Sequence, residues 1–194
     1  VKDTSGQLKE LVDGCIAGKR RYQERFFKAY YGKMMAVCLR YVHDHDTAQE
    51  IVQEGFIKVF DKLATYNFTG SFEGWMRRIF ANLTIDYLRK VKREAFTEIH
   101  ENTNTAENDE PSGIEMEELM DNFSLKAERA MIAIGQLSPV YRTVFNLYVF
   151  ENYSHKEIAN LLNISEGTSK SNFFKAKANL RKILEKEFNL IDNQ

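Results

Sequence analysis

Apolar residues recur every three or four positions along most of this chain, the pattern of helices that bury one face. Leu8, Leu11, Val12, Cys15 and Ile16 predict a first helix over about Leu8–Ala17. Phe26, Phe27, Tyr30, Met34, Val37, Cys38 and Tyr41 predict a second over about Lys19–Val42. Asp46-Thr47-Ala48-Gln49 reads as a capping-box start for a third, which runs through Ile51, Val52, Phe56, Val59, Phe60 and Leu63. A loop from Ala64 to Gly70 follows; Ser71 then caps a fourth helix through Trp75, Ile79, Asn82, Leu83, Ile85 and Leu88 to the basic end at Arg89–Arg93. Cations there suit the negative end of the helix dipole. Further on, a helix is predicted around Ser124–Leu137. Ser138-Pro139 then restarts the chain, with serine as cap and proline at the first helical position. Proline occurs only at 111 and 139, so long stretches carry no breaker, and the class is all-α.

The last third holds the most specific pattern. Ser154-His155-Lys156-Glu157 is a capping box. Ile158, Ala159, Leu161 and Leu162 form the apolar side of a short helix, and Asn163 sits at the turn, where asparagine tolerates a left-handed backbone. Ser165 can cap a second helix, whose inner face is Ser169, Phe173, Ala176 and Leu180. Lys170, Ser171, Asn172, Phe174, Lys175 and Lys177 fall mostly off that face. Two helices joined by a tight turn, the second rich in lysine, make a helix-turn-helix. Its expected partner is double-stranded DNA, with lysines on phosphates and serine or asparagine on base edges. The plainer reading is an amphipathic hairpin with a solvated basic side.

Charge divides the chain in three. Residues 1–93 carry 17 Lys and Arg against 11 Asp and Glu; residues 94–125 carry 10 acids and no Lys or Arg; residues 126–194 carry 10 bases and 7 acids. The net charge of −1 therefore hides two basic segments flanking an acidic one. From His100 to Gly113 there is almost no large apolar side chain, too little to offset the entropy of ordering. The expected organisation is two small helical domains, 1–93 and 123–194, joined by an acidic flexible linker, 94–122, with a short helix at Ile114–Met120.

Tyr66, Asn67, Phe68, Phe72, Trp75, Arg77, Arg78, Asn82, Arg89 and Lys90 combine aromatic faces with cations, the chemistry that holds single-stranded nucleic acid. Phe72 is expected in the core instead. Arg77 and Arg78 are adjacent and cannot both face inward. His43-Asp44-His45-Asp46 superficially suggests a metal site, but adjacent residues diverge on a helix and a loop with a cap is expected. No glycine-rich phosphate loop, H-E-x-x-H or G-x-S-x-G occurs, so no enzyme, cofactor or metal is expected. Cys15 and Cys38 are too few for a disulfide framework, and no apolar run or signal-peptide pattern predicts membrane insertion; a cytoplasmic site is expected. Val1 is not an initiator residue, so the natural chain is expected to begin earlier.

Three separated segments carry a family likeness. They are Ala48-Gln-Glu50-Ile-Val-Gln53-Glu54-Gly-Phe56; Phe72-Glu-Gly-Trp75-Met-Arg-Arg78-Ile79-Phe-Ala-Asn82-Leu-Thr-Ile-Asp86-Tyr-Leu88-Arg89; and Leu137-Ser-Pro139-Val-Tyr-Arg142-Thr-Val-Phe145-Asn-Leu147 onward to Ala176-Lys177. In this order, across nearly the whole chain, they resemble bacterial RNA polymerase sigma factors of the extracytoplasmic function (ECF) group. The resemblance implies a first domain equivalent to sigma region 2, with core-polymerase contacts at Glu50, Gln53, Glu54, Phe56 and Lys58. It implies capture of a −10 element by Tyr66, Asn67, Trp75, Arg77, Arg78, Asn82, Asp86, Arg89 and Lys90. It implies a region 4 helix-turn-helix reading a −35 element through Ser165, Thr168, Lys170, Ser171, Asn172, Phe174 and Lys175. Departures are Gln49-Glu50 for a frequent Glu-Asp, Phe80-Ala81 for a common Ala-Arg, Ser169 for a usual valine and Asn172 for a frequent arginine.

The implied function is a dissociable promoter-specificity subunit, monomeric when free and associated with the nucleoid when bound to polymerase. The implied partners are the clamp helices and flap of core RNA polymerase, promoter DNA and an anti-sigma factor. The acidic linker is expected in a basic polymerase channel. Two competing readings are a polymerase-independent dimeric helix-turn-helix regulator, and a histidine–aspartate metal enzyme built on His43-Asp44.

Overall fold

The described residues of the computed structural model, 4–42, 44–98 and 122–191, form helices and short connections only. In chain order these are α1 (Thr4–Ile16), α2 (Arg20–Leu39), α3 (His45–Lys62), a 3-10 turn (Leu63–Thr65), α4 (Phe72–Glu98), α5 (Asn122–Gly135), α6 (Pro139–Val149), α7 (His155–Leu162) and α8 (Glu166–Ile191). The all-α expectation is therefore met. Most of the expected acidic linker, the Ile114–Met120 helix and His43 lie outside the described residues.

α2, α3 and α4 pack on one another, and α1 lies against α2. Their shared core is strongly aromatic. Phe26, fully buried, meets Tyr30, Phe56, Phe60 and Phe72 with ring centroids 4.9–6.3 Å apart, mostly tilted or edge-on as ring quadrupoles prefer. Gly55 lets α3 approach α4: a Cβ there would lie 2.2 Å from Cε1 of the buried Phe80 ring. In the second unit α8 packs on α5, α6 and α7, over Ile134, Leu137, Phe145 and Ala176. Val144, Leu147, Tyr153 and Ile158 of that unit continue the apolar cluster of the first.

Helix ends correct several sequence expectations. α3 is capped two residues early: Asp44, not Asp46, accepts the Thr47 backbone N–H at 2.7 Å. That bond holds the Asp44 carboxyl below its ordinary range. α4 runs on to Glu98, so Glu94–Glu98 is helix rather than linker. Ser138 occupies the cap position before Pro139, but its side chain makes no capping bond. Ser71 does cap α4, accepting the Gly74 N–H at 3.1 Å.

Candidate nucleic-acid interface

The loop before α4 is turned by two left-handed residues, Phe68 (φ 58°) and Gly70 (φ 76°). Asn67 Oδ1 braces it, accepting from the Thr69 backbone N–H at 3.2 Å and hydroxyl at 2.6 Å. Tyr66 lies inside this loop rather than on it. Its ring centroid is 4.9–5.2 Å from those of Phe68, Phe72 and Trp75, it is buried, and its hydroxyl donates to Gly70 O. The expectation of a free Tyr66 stacking face is thereby corrected: packing against Phe72 and Trp75 has taken it. Phe68 is the exposed aromatic of the loop, and Trp75 is half-buried. Phe72 is in the core, as its position predicts.

Along α4, Trp75, Arg78, Asn82, Asp86 and Arg89 recur every three or four residues and so share one face. Arg89 pairs with Asp86 at 3.3 Å, and both are exposed, as is Lys90. Ala81, where the family commonly has arginine, is fully buried. Arg77, Arg78 and Asn82 meet the connection between α6 and α7. Asn82 Oδ1 accepts from Tyr153 Oη at 3.0 Å. Arg78 donates to Asn152 O at 3.3 Å, lies 4.7 Å from the Tyr153 ring centroid and stands 3.7 Å from Glu157. Arg77 Nε is 3.9 Å from Glu151 Oε2.

On α3 the expected docking set separates. Glu50, Gln53 and Glu54 are exposed, and Lys58 pairs with Glu54 at 2.8 Å. Phe56 is 3% exposed, wedged among Phe26, Phe27, Phe60 and Phe80. A partner cannot reach it, which corrects that part of the docking set. Its neighbour Ile57 is 63% exposed and continues the Glu50, Gln53, Glu54 face at helical spacing. Sequence reasoning missed Ile57, although the interval of seven from Glu50 pointed to it.

The helix-turn-helix forms as its local sequence dictates. Ser154 and Glu157 exchange capping-box bonds: the Glu157 N–H donates to Ser154 Oγ at 3.2 Å, and the Ser154 N–H to Glu157 Oε2 at 2.8 Å. Asn163 ends α7 in the left-handed region (φ 53°, ψ 49°). Ser165 Oγ accepts the Thr168 N–H at 3.0 Å and is 2.8 Å from the Thr168 hydroxyl, so both side chains are already engaged in the cap. Ser169, fully buried, lies 3.0 Å from His155 Nδ1, whose ring stacks on Tyr148 at 4.5 Å. A polar residue on the inner face is thus matched by a partner across the turn. Burial, then Lys170, lowers the His155 pKa below its ordinary value. Lys170 pairs with Glu166 at 2.7 Å. Ser171, Phe174 and Lys175 are exposed, Phe174 at 71%, and Asn172 is half-buried.

Asp44 serves as a helix cap, and among the described residues no three His, Cys, Asp or Glu side chains are grouped to hold a metal ion. Burial pushes the thiols of Cys15 and Cys38 up to about 11. No described helix is long and apolar enough to cross a membrane.

Residues 26–94 match the family Sigma-70 region 2, and residues 128–180 match the family Sigma-70, region 4. The chain is 28% identical over 193 residues to RNA polymerase sigma-H factor of Pseudomonas aeruginosa, spanning 94% of this chain and 96% of that protein. It is 29% identical over 165 residues to ECF RNA polymerase sigma factor SigW of Bacillus subtilis, spanning 80% and 84% respectively. In fold it is similar to the sigma factor RpoE of Bartonella quintana, solved with the anti-sigma factor NepR: TM-score 0.53 at 19% identity, covering 84% of this chain and 96% of that one.

Proposed function

We infer the function from one premise: the chain belongs to the sigma-70 family of RNA polymerase sigma factors, in its extracytoplasmic function group. As such it directs transcription initiation, and the free-standing regulator is set aside. What carries the reading is that regions 2 and 4 occur in order in one chain, each with a helix that offers cations and polar groups to solvent.

The reading assigns core docking to the α3 face of Glu50, Gln53, Glu54 and Lys58, with Ile57 as its apolar centre and Phe56 supporting it from beneath. It assigns −10 capture to α4 and the preceding loop. Extruding a base costs a few kcal/mol, offset by stacking and by hydrogen bonds. Trp75 and Phe68 supply aromatic surface, Asn82 a hydrogen-bonding edge, and Arg77, Arg78, Arg89 and Lys90 the cations for phosphate. Asn67, Asp86 and Tyr66 shape that surface. The exposed side of α8, with Lys170, Ser171, Asn172, Phe174 and Lys175, enters the −35 major groove while Ser165 and Thr168 fix its start. Region 4 also rests on the polymerase flap, and tethering lets two weak DNA contacts act together. The B. quintana sigma factor is held by an anti-sigma factor; a regulator of that kind is assigned here too. The free chain is monomeric.

In vitro transcription with core polymerase over a promoter library tests this. Product from a defined promoter subset is expected, lost with Lys175→Glu and with Trp75→Ala. No product together with no binding to core overturns the assignment.

A further inference from the structure

α2 carries a face that neither the docking set nor the −10 and −35 assignments use. Its inward side is Phe26, Met34, Met35, Val37 and Cys38. Arg21, Arg25, Lys28, Gly32 and Ala36 recur every three or four residues on the side turned away from that core, and all five are exposed. At about 1.5 Å of rise per residue, the three cations stand about 6 Å and about 4.5 Å apart along the axis, in one row.

The fold leaves this row open. The only acid of α2, Glu24, is held by Arg20 at 2.9 Å. Among the described residues Arg21, Arg25 and Lys28 pair with no carboxylate, whereas Lys33, Lys58, Arg89, Lys170 and Arg181 each hold one. Arg21 and Arg25, like charges four residues apart, weaken the helix they sit on. Gly32 weakens it further, because glycine is disfavoured in a helix interior. Its φ is not positive, and a Cβ there would meet nothing within 4 Å. A Cβ at Gly14 or Gly55, by contrast, would strike a ring. Neither a turn nor internal packing accounts for Gly32; close approach of something outside the chain does.

The chemistry of the row selects the occupant. It has no large apolar side chain. Protein interfaces are built around apolar cores with aromatic anchors, and single strands are held on aromatic faces. The exposed ring of α2, Phe27, lies to the side, against Tyr31 and Phe56. What remains is a line of cations running into a flat stretch of small residues. Cations neutralise phosphates, and glycine lets a backbone lie close.

We propose that the Arg21–Ala36 face of α2 is a further contact with the sugar–phosphate backbone of duplex DNA, outside the −10 and −35 sites. This rests on the function above, which brings promoter DNA to the chain. The contact adds affinity without sequence information, since phosphate contacts position and base contacts specify.

The test uses the full chain and a fluorescein-labelled, mixed-sequence duplex, with anisotropy read over a salt series and circular dichroism verifying folding. Arg21→Gln, Arg25→Gln and Lys28→Gln together remove three phosphate contacts. The slope of log affinity against log salt is expected to fall by about 0.9 for each, about 2.7 in all. Lys9→Gln, Lys62→Gln and Lys186→Gln together change the net charge equally but lie off the row, and should leave the slope near native. Gly32→Leu changes no charge and improves helix propensity. It should weaken duplex binding by about eightfold at about 0.1 M salt, the worth of one phosphate contact, with no loss of thermal stability. An unchanged slope in the first triple variant overturns the proposal, as does an equal fall in the second. Native-like binding by Gly32→Leu overturns it too, as does a native chain that fails to bind the duplex at low salt. If the first triple variant instead loses core-polymerase binding and keeps its slope, the face belongs to the polymerase. Failure of the sigma assignment looks different: the native chain then neither binds core nor yields transcript, whatever the slope.

Discussion

Phe56 and Ile57 are adjacent on α3, yet the structure gives them opposite work, and truncating each separates the two. Fully burying an isoleucine side chain contributes about 1.5–3 kcal/mol. Ile57 is 63% exposed in the free chain, so docking has about 1–2 kcal/mol left to gain there. Ile57→Ala should therefore weaken core binding by about five- to thirtyfold, while stability moves by no more than about 0.5 kcal/mol. Phe56 is 3% exposed, and Phe56→Ala opens a cavity among four rings, costing about 3–5 kcal/mol of stability. Anisotropy of labelled chain titrated with core polymerase measures the first effect. Urea unfolding followed by Trp75, the sole tryptophan, measures the second, because Trp75 sits in the first helical unit. The reasoning is refuted if Ile57→Ala binds core like the native chain while Phe56→Ala, still folded under assay conditions, binds poorly.

Gly55→Ala should destabilise by about 1–3 kcal/mol in urea, despite the better helix propensity of alanine, because the new Cβ meets Phe80; a gain in stability would show that the ring yields. Asn163→Ala should cost about 1–2 kcal/mol through its left-handed backbone, with Asn163→Gly closer to native; equal losses in thermal melts would remove the backbone explanation. His155 is held neutral, its pKa lowered first by burial and then by Lys170. The unfolded chain takes up a proton near pH 6.5 and the folded chain only lower, so this contribution is complete above about pH 6.5 and is lost as pH falls from there through the folded value. His155→Phe keeps a ring against Tyr148 and should flatten the stability change between about pH 7 and 5.5; an unaltered slope would clear His155 of that role.

Much of the local architecture is legible from residues four or fewer positions apart. Ser154 with Glu157, Ser71 with Gly74 and Ser165 with Thr168 close within a single turn, and Asn163 tolerates the left-handed backbone on its own. Such bonds depend on side-chain reach along one helix, so composition and spacing predict them. The α3 cap falls at Asp44 rather than Asp46 because neighbouring aspartates offer the same bond and spacing does not choose between them. Whether Phe56 or Ile57 faces the core is harder, since both are apolar and only the packing of α4, with Phe80 over Gly55, selects between them. Tyr66 sits in a loop, where no period exists to assign a face, and its burial follows from three rings brought together by tertiary packing. Ser169 is a polar residue on an apolar stripe, and only the turn, which brings His155 to within 3.0 Å, supplies its partner. Arg40 and Glu151 stand 111 residues apart, with no local signal linking them. Most helices, the Ser71, Ser154 and Ser165 caps and the helix-turn-helix are settled by neighbours along the chain. Only the tertiary structure decided which polar residues are left for a partner and which are taken by the chain itself, because that depends on groups the fold brings together from distant positions.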